Sequence, residues 1–137
     1  MRSLPMHEMD AEGMTLAQAR EAALRAYAPY SNFRVGAAVV AASGAVYLGC
    51  NVENAAYGST MCAEANAIGN AIAAGESGLV SISVACIDAD SVDGAYPCGN
   101  CRQLMEEFDI GLVEVSAGSG ESRKHQLSEL FPHGFKL

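Results

Sequence analysis

Positive charge is scarce in this chain. Its 137 residues carry 8 Lys and Arg against 16 Asp and Glu, for a formal charge of -8. No basic cluster is present that could neutralise a run of phosphates, which disfavours tight binding to nucleic acid and points to a small substrate. Long apolar runs are also missing. Half of the residues are hydrophobic, yet no run approaches the roughly 20 residues that a membrane helix needs. The first dozen residues include Glu8, Asp10 and Glu12 and no apolar signal-peptide core, so the expected location is cytoplasmic. An odd count of five cysteines, without an export signal, argues against a disulfide framework. The three histidines, His7, His125 and His133, lie near the chain ends, away from any ligand spacing.

What remains is the pattern of one α/β domain. Residues 1–12 show no periodicity and read as a loose arm, leaving residues 13–137 as a single domain large enough to bury its own core. Thr15 is a candidate N-cap for an amphipathic helix in which Leu16, Ala19, Ala23, Leu24 and Tyr27 share a face, with Pro29 stopping it near Tyr27. A hairpin follows, from Phe33 to Ala41 and from Ala45 to Cys50, with Gly36 marking a close backbone approach. Asn51 to Thr60 reads as a loop, and Cys62 to Ala74 as a helix with Ala63, Ala67, Ile68, Ala71 and Ile72 inward. A strand spans Val80 to Ile87, and a helix runs from Cys98 to about Phe108. A strand from Leu112 to Val115, a short one near Glu121 to His125 and a terminal helical turn complete the chain. The order αββαβαβ(β)α predicts a layered α/β domain with a mixed sheet.

The chemistry is concentrated between Cys62 and Cys101. Met61-Cys62-Ala63-Glu64 and Pro97-Cys98-Gly99-Asn100-Cys101-Arg102 supply three thiols and one carboxylate. Three thiolates are a soft donor set suited to zinc, and they leave one tetrahedral position open, as catalytic sites do. Cys98 and Cys101, three residues apart, fall on one helical face. Both halves sit at helix N-termini, where the dipole favours thiolate charge. Glu64 lies beside a ligand and can serve as general acid and base. Cys50 and Cys86 read as small buried apolar residues.

These halves match the signature of zinc nucleobase deaminases. Together with Ala28-Pro29-Tyr30-Ser31-Asn32-Phe33, Val35-Gly36-Ala37-Ala38 and Asn51-Val52-Glu53-Asn54-Ala55-Ala56-Tyr57-Gly58, they make residues 14 to 135 resemble the small homotetrameric zinc-dependent cytidine deaminases. The resemblance implies a three-layer α/β/α cytidine deaminase-like domain with a five-stranded mixed sheet. It also implies one zinc per chain on Cys62, Cys98 and Cys101, and hydrolysis of cytidine or deoxycytidine in pyrimidine salvage with Glu64 moving the protons. By the same resemblance Asn51 and Glu53 hold the ribose, Phe33 packs on the pyrimidine, and Ala63 contacts the substrate. Tyr57 and Phe135 are then offered across subunit boundaries of a homo-oligomer, with a tetramer favoured over a dimer.

One position departs from that pattern. The family's Cys-Ala-Glu-Arg is Cys-Ala-Glu-Ala here, with Ala65 in place of the arginine that offsets thiolate charge. Charge relief is then expected from Arg102, from the helix N-termini and from Asn66, one turn after Cys62. Two alternatives remain open on sequence: deamination of another cytosine nucleoside such as blasticidin S, and a non-catalytic zinc-bearing nucleoside-binding protein.

Overall fold

A computed structural model describes residues 15–137; the arm expected over residues 1–12 lies outside them. The first helix, α1, occupies residues 15–23. It is followed by β1 (Val35–Ala41), β2 (Val46–Cys50), α2 (Ala63–Ala73), β3 (Leu79–Cys86), α3 (Gly99–Glu107), β4 (Leu112–Ser116), β5 (Ser122–Gln126) and α4 (Leu127–Leu130). The sheet runs β2-β1-β3-β4-β5. Only the β3–β4 pair is parallel; β1 is antiparallel to both β2 and β3, and β5 to β4. The expected five-stranded mixed sheet is therefore present.

Two glycines fix the layers. A Cβ on Gly36 would lie 1.9 Å from the Ala19 carbonyl oxygen of α1, and one on Gly49 would lie 2.4 Å from the Ala67 nitrogen of α2. Gly49 pairs with Ala37, the neighbour of Gly36, so the two glycines face opposite sides of the sheet. Helix α1 thus packs on one face, over Ala38 and Ala85, while α2 and α3 pack on the other, over Ala37, Val39, Ile82 and Val84. This is the α/β/α sandwich, held by small residues where helix and strand backbones nearly touch.

Several boundaries differ from the sequence reading. Helix α1 stops four residues before Tyr27, and both Leu24 and Tyr27 are exposed, at 64% and 56%. The reason is tertiary: Tyr27 leaves the helix to bridge Val52, donating its N–H to the Asn51 carbonyl and accepting from Glu53. Thr15 is already helical, and its hydroxyl meets that of Ser83 on β3 at 3.2 Å. Ile72, assigned to the inner face of α2, is exposed. Cys50 is half-buried where full burial was expected.

Candidate active site

Cys62 and Cys98 are the N-caps of α2 and α3, both with extended backbone (φ -73°, ψ 153° and φ -71°, ψ 170°). Cys98 therefore sits just outside the first turn in which it was expected, and Cys101 lies inside it. Neither capping thiol is bonded to its own helix, so both remain available to a metal. The two N-termini converge at the carboxyl end of β3, and the Sγ atoms of Cys62, Cys98 and Cys101 all lie within 4.8 Å of one another. Hydrogen bonding from Cys101, and then from Cys98, pulls the Cys62 thiol down to about 6, despite its partial burial. The same pairing with Cys62, together with burial, pushes the Cys101 thiol up. One thiolate is thus already favoured, and a divalent cation would favour all three.

Glu64 stands in the first turn of α2 and is only 4% exposed. Burial pushes its carboxyl up to about 7, and the charge of Cys62 adds to the rise, against the lowering effect of its own backbone N–H and of the Cys101 thiol. A carboxyl poised near neutrality can both take up and return a proton. Cys86, at the end of β3, is pushed up to about 12, mainly by burial and also by Glu64. It stays a neutral thiol in the wall.

Cys62, Cys98 and Glu64 open into a cavity of about 190 Å³ that is also lined by Phe33, Val35, Val84, Cys86 and Tyr96. Drug-sized ligands fill roughly 300–1,000 Å³, so this cavity suits a single ring. Ala63 and Asn51 also line it. A second cavity of about 220 Å³, walled by Tyr30, Ser31, Glu53 and Tyr57, shares Thr60 with the first. Thr60 and Tyr96 were not singled out in the sequence, although Tyr96 directly precedes Pro97-Cys98 and Thr60 stands two residues before Cys62.

Asn51 and Glu53 each carry structural bonds. The Asn51 amide accepts from Val35 N–H (2.9 Å) and donates to the Phe33 carbonyl (3.0 Å). Glu53 accepts from the N–H groups of Tyr30 (3.0 Å) and Ser31 (3.1 Å) and from the Ser31 hydroxyl, which hold it below the usual carboxylate range. Tyr57 is 90% exposed at the rim of the second cavity. Phe135, 66% exposed, lines neither cavity. Its backbone is pinned by both ends of the Gln103 amide.

The two expected charge-balancing residues point elsewhere. Asn66 donates its amide to the Cys50 carbonyl at 2.8 Å, sealing the β2 edge rather than a thiolate. Arg102 donates to the carbonyls of Pro97 (2.8 Å) and Leu130 (2.6 Å), tying α3 to α4. In both cases an unpaired backbone oxygen is the nearer demand.

Comparison with known proteins agrees with this geometry. Residues 9–117 match the family model described as the cytidine and deoxycytidylate deaminase zinc-binding region. A protein named cytidine deaminase from Sporosarcina psychrophila is 38% identical over 93% of this chain and 92% of its own. The crystal structure of a cytidine deaminase from Burkholderia pseudomallei superposes with a TM-score of 0.83 at 39% identity, covering 90% of this chain and 98% of the other. That of a cytidine deaminase from Mycobacterium tuberculosis gives 0.76 at 35%, covering 92% and 98%. With three thiols at two helix N-termini, a buried glutamate beside them and a match that spans most of the chain, the protein belongs to the cytidine and deoxycytidylate deaminase zinc-binding family.

Proposed function

We propose that this protein hydrolyses cytidine and deoxycytidine to uridine and deoxyuridine, releasing ammonia. The observation that carries the reading is the buried Glu64 carboxyl beside the three-thiol cluster, at the end of a cavity sized for one ring.

The donors fit zinc. Bonds of about 2.3 Å in tetrahedral geometry place sulfurs roughly 3.8 Å apart, and the three Sγ atoms lie within 4.8 Å of one another. They form the one such cluster among the described residues, and Cys62, Cys98 and Cys101 would hold one ion per chain. Bound there, zinc supplies Lewis-acid activation of a water molecule.

The protein's own groups do the rest. Phe33 and Ala63 bound the base, and Asn51 in the first cavity and Glu53 in the second serve the ribose. Glu64 takes a proton from the attacking water as oxygen bonds to C4 of the ring. It delivers that proton to N3, then carries the remaining proton of the new C4 hydroxyl to the amino group, so that the C4–N bond breaks, ammonia leaves and C4 keeps a carbonyl oxygen. A carboxyl that exchanges protons near neutral pH suits each transfer. Closure of the site by a neighbouring subunit would keep bulk water away and strengthen these interactions.

The same reading makes the protein a cytoplasmic enzyme of pyrimidine salvage that works as a homotetramer. The exposed Tyr57 and the pinned, outward Phe135 support an assembly in which each site is completed by a neighbour. Among the described residues no helix is long and apolar enough to cross a membrane. The test is ammonia release over a panel of cytidine, deoxycytidine, 5-methylcytidine, adenosine, guanine and blasticidin S. Turnover of the first two supports the reading; turnover of blasticidin S alone, or of none, contradicts it.

A further inference from the structure

Phe33 and Val35 both face the one-ring cavity, and Arg34 between them does not line it. The segment that carries them is irregular: Asn32 has φ 58°, and the paired part of β1 begins only at Val35, opposite Cys86. Beyond that point β3 offers no ladder partner for the Arg34 N–H. Asp88 supplies one with its side chain. Its Oδ2 accepts the Arg34 N–H at 2.8 Å and Nε at 2.9 Å, and its Oδ1 accepts the guanidinium NH2 at 2.8 Å. Ile87 closes the ring by donating its N–H to the Arg34 carbonyl at 3.3 Å.

Three bonds on one carboxylate, two of them the parallel fork of a guanidinium, make a rigid joint. Asp88 is held down to about 2, mainly by hydrogen bonding from the Arg34 side chain and backbone. The joint therefore stays charged throughout the neutral range. With side-chain exposures of 42% and 25%, an ion pair of this kind adds little to global stability. Its location is more informative, because it joins the two strands whose ends wall the cavity.

We propose that Arg34 and Asp88 form a clamp that fixes Phe33 against the pyrimidine ring, making both positioning residues for substrate binding. The inference rests on reading the cavity as the base pocket of a nucleoside deaminase. Asp88 holds the Phe33–Val35 segment by a backbone bond as well as the fork, so its removal matters more than removal of the Arg34 side chain.

The experiment uses the full zinc-loaded chain, labelled with 4-fluorophenylalanine at its four phenylalanines. The Phe33 resonance is assigned by its loss in Phe33→Leu. In Asp88→Ala that resonance should shift or broaden while those of Phe108 and Phe131 stay in place. KM for cytidine should rise about five-fold with kcat within about two-fold, the size of effect expected of a half-exposed charged pair. Arg34→Ala should do less, and Arg34→Lys, which keeps the charge but loses the fork, should fall between Arg34→Ala and wild type. The KM effect of Asp88→Ala should vanish in a Phe33→Leu background. A Phe33 resonance unmoved in Asp88→Ala, or a KM rise that persists in full without Phe33, would overturn the proposal. A wild-type chain that releases no ammonia from cytidine would overturn the deaminase reading and the substrate half of the clamp, with the fluorine spectrum still deciding whether Asp88 sets Phe33.

Discussion

Asn66 gives its side-chain amide to the carbonyl of Cys50, 2.8 Å away, although it stands one helical turn after the metal-site thiol of Cys62. With Arg102 likewise bonded to the backbone of Pro97 and Leu130, neither residue donates to a thiolate. Three thiolates on a divalent zinc would leave a formal charge of -1, and the relief left to hand is the dipole field of the two helix N-termini.

Restoring a cation should therefore help. Ala65→Arg is expected to raise turnover roughly three-fold, because an opposite charge within reach of the thiolates withdraws density from the metal. Turnover, zinc content and melting temperature of the single mutant check this. Slower turnover with lost zinc or a lower melting temperature would mean that the half-buried site around Ala65 has packed too closely for the longer side chain.

Gly36→Ala should be strongly destabilising. Its Cβ would lie 1.9 Å from the Ala19 carbonyl oxygen and 2.5 Å from the Ala23 nitrogen, both backbone atoms that cannot rotate away. Overpacking typically costs about 1–3 kcal/mol, and forcing α1 off the sheet puts this case at the upper end of that range or beyond. Denaturant unfolding measures it, with Gly44→Ala as a strained but uncrowded turn control. Equal losses in the two variants would mean that close helix approach is not what Gly36 provides.

Gly36 also shows how far the sequence could be read. A glycine inside an apolar strand announced a close approach, and the structure names the helix that makes it. The cysteine spacing was as direct, since ligand chemistry is local and two short motifs contain it. The end of α1 was not legible. Leu24 and Tyr27 continue the helical periodicity, but the bridge from Tyr27 to Val52 takes the chain out of the helix early. Asn66 and Arg102 were misplaced for a related reason. Sequence shows which donors lie near the thiols, but not which backbone carbonyls lie nearer still.

Metal content should separate the five thiols. Substituting Ala for Cys62, Cys98 or Cys101 should lower zinc well below one per chain, whereas Cys50→Ala and Cys86→Ala should retain it, since neither belongs to the cluster. Metal analysis of the purified variants decides. Full occupancy in Cys98→Ala would show the ligand set to be wrong.

The most direct test of the whole account is deamination by Glu64→Gln with its zinc content measured in the same preparation. The substitution keeps the shape of a side chain buried in the first turn of α2 and removes its ability to exchange protons. General acid–base catalysis contributes about 10²–10⁴-fold. The expected result is a folded protein with one zinc per chain and cytidine deamination reduced by that factor. Deamination near the wild-type rate, with zinc retained, would contradict the assignment of proton transfer to Glu64.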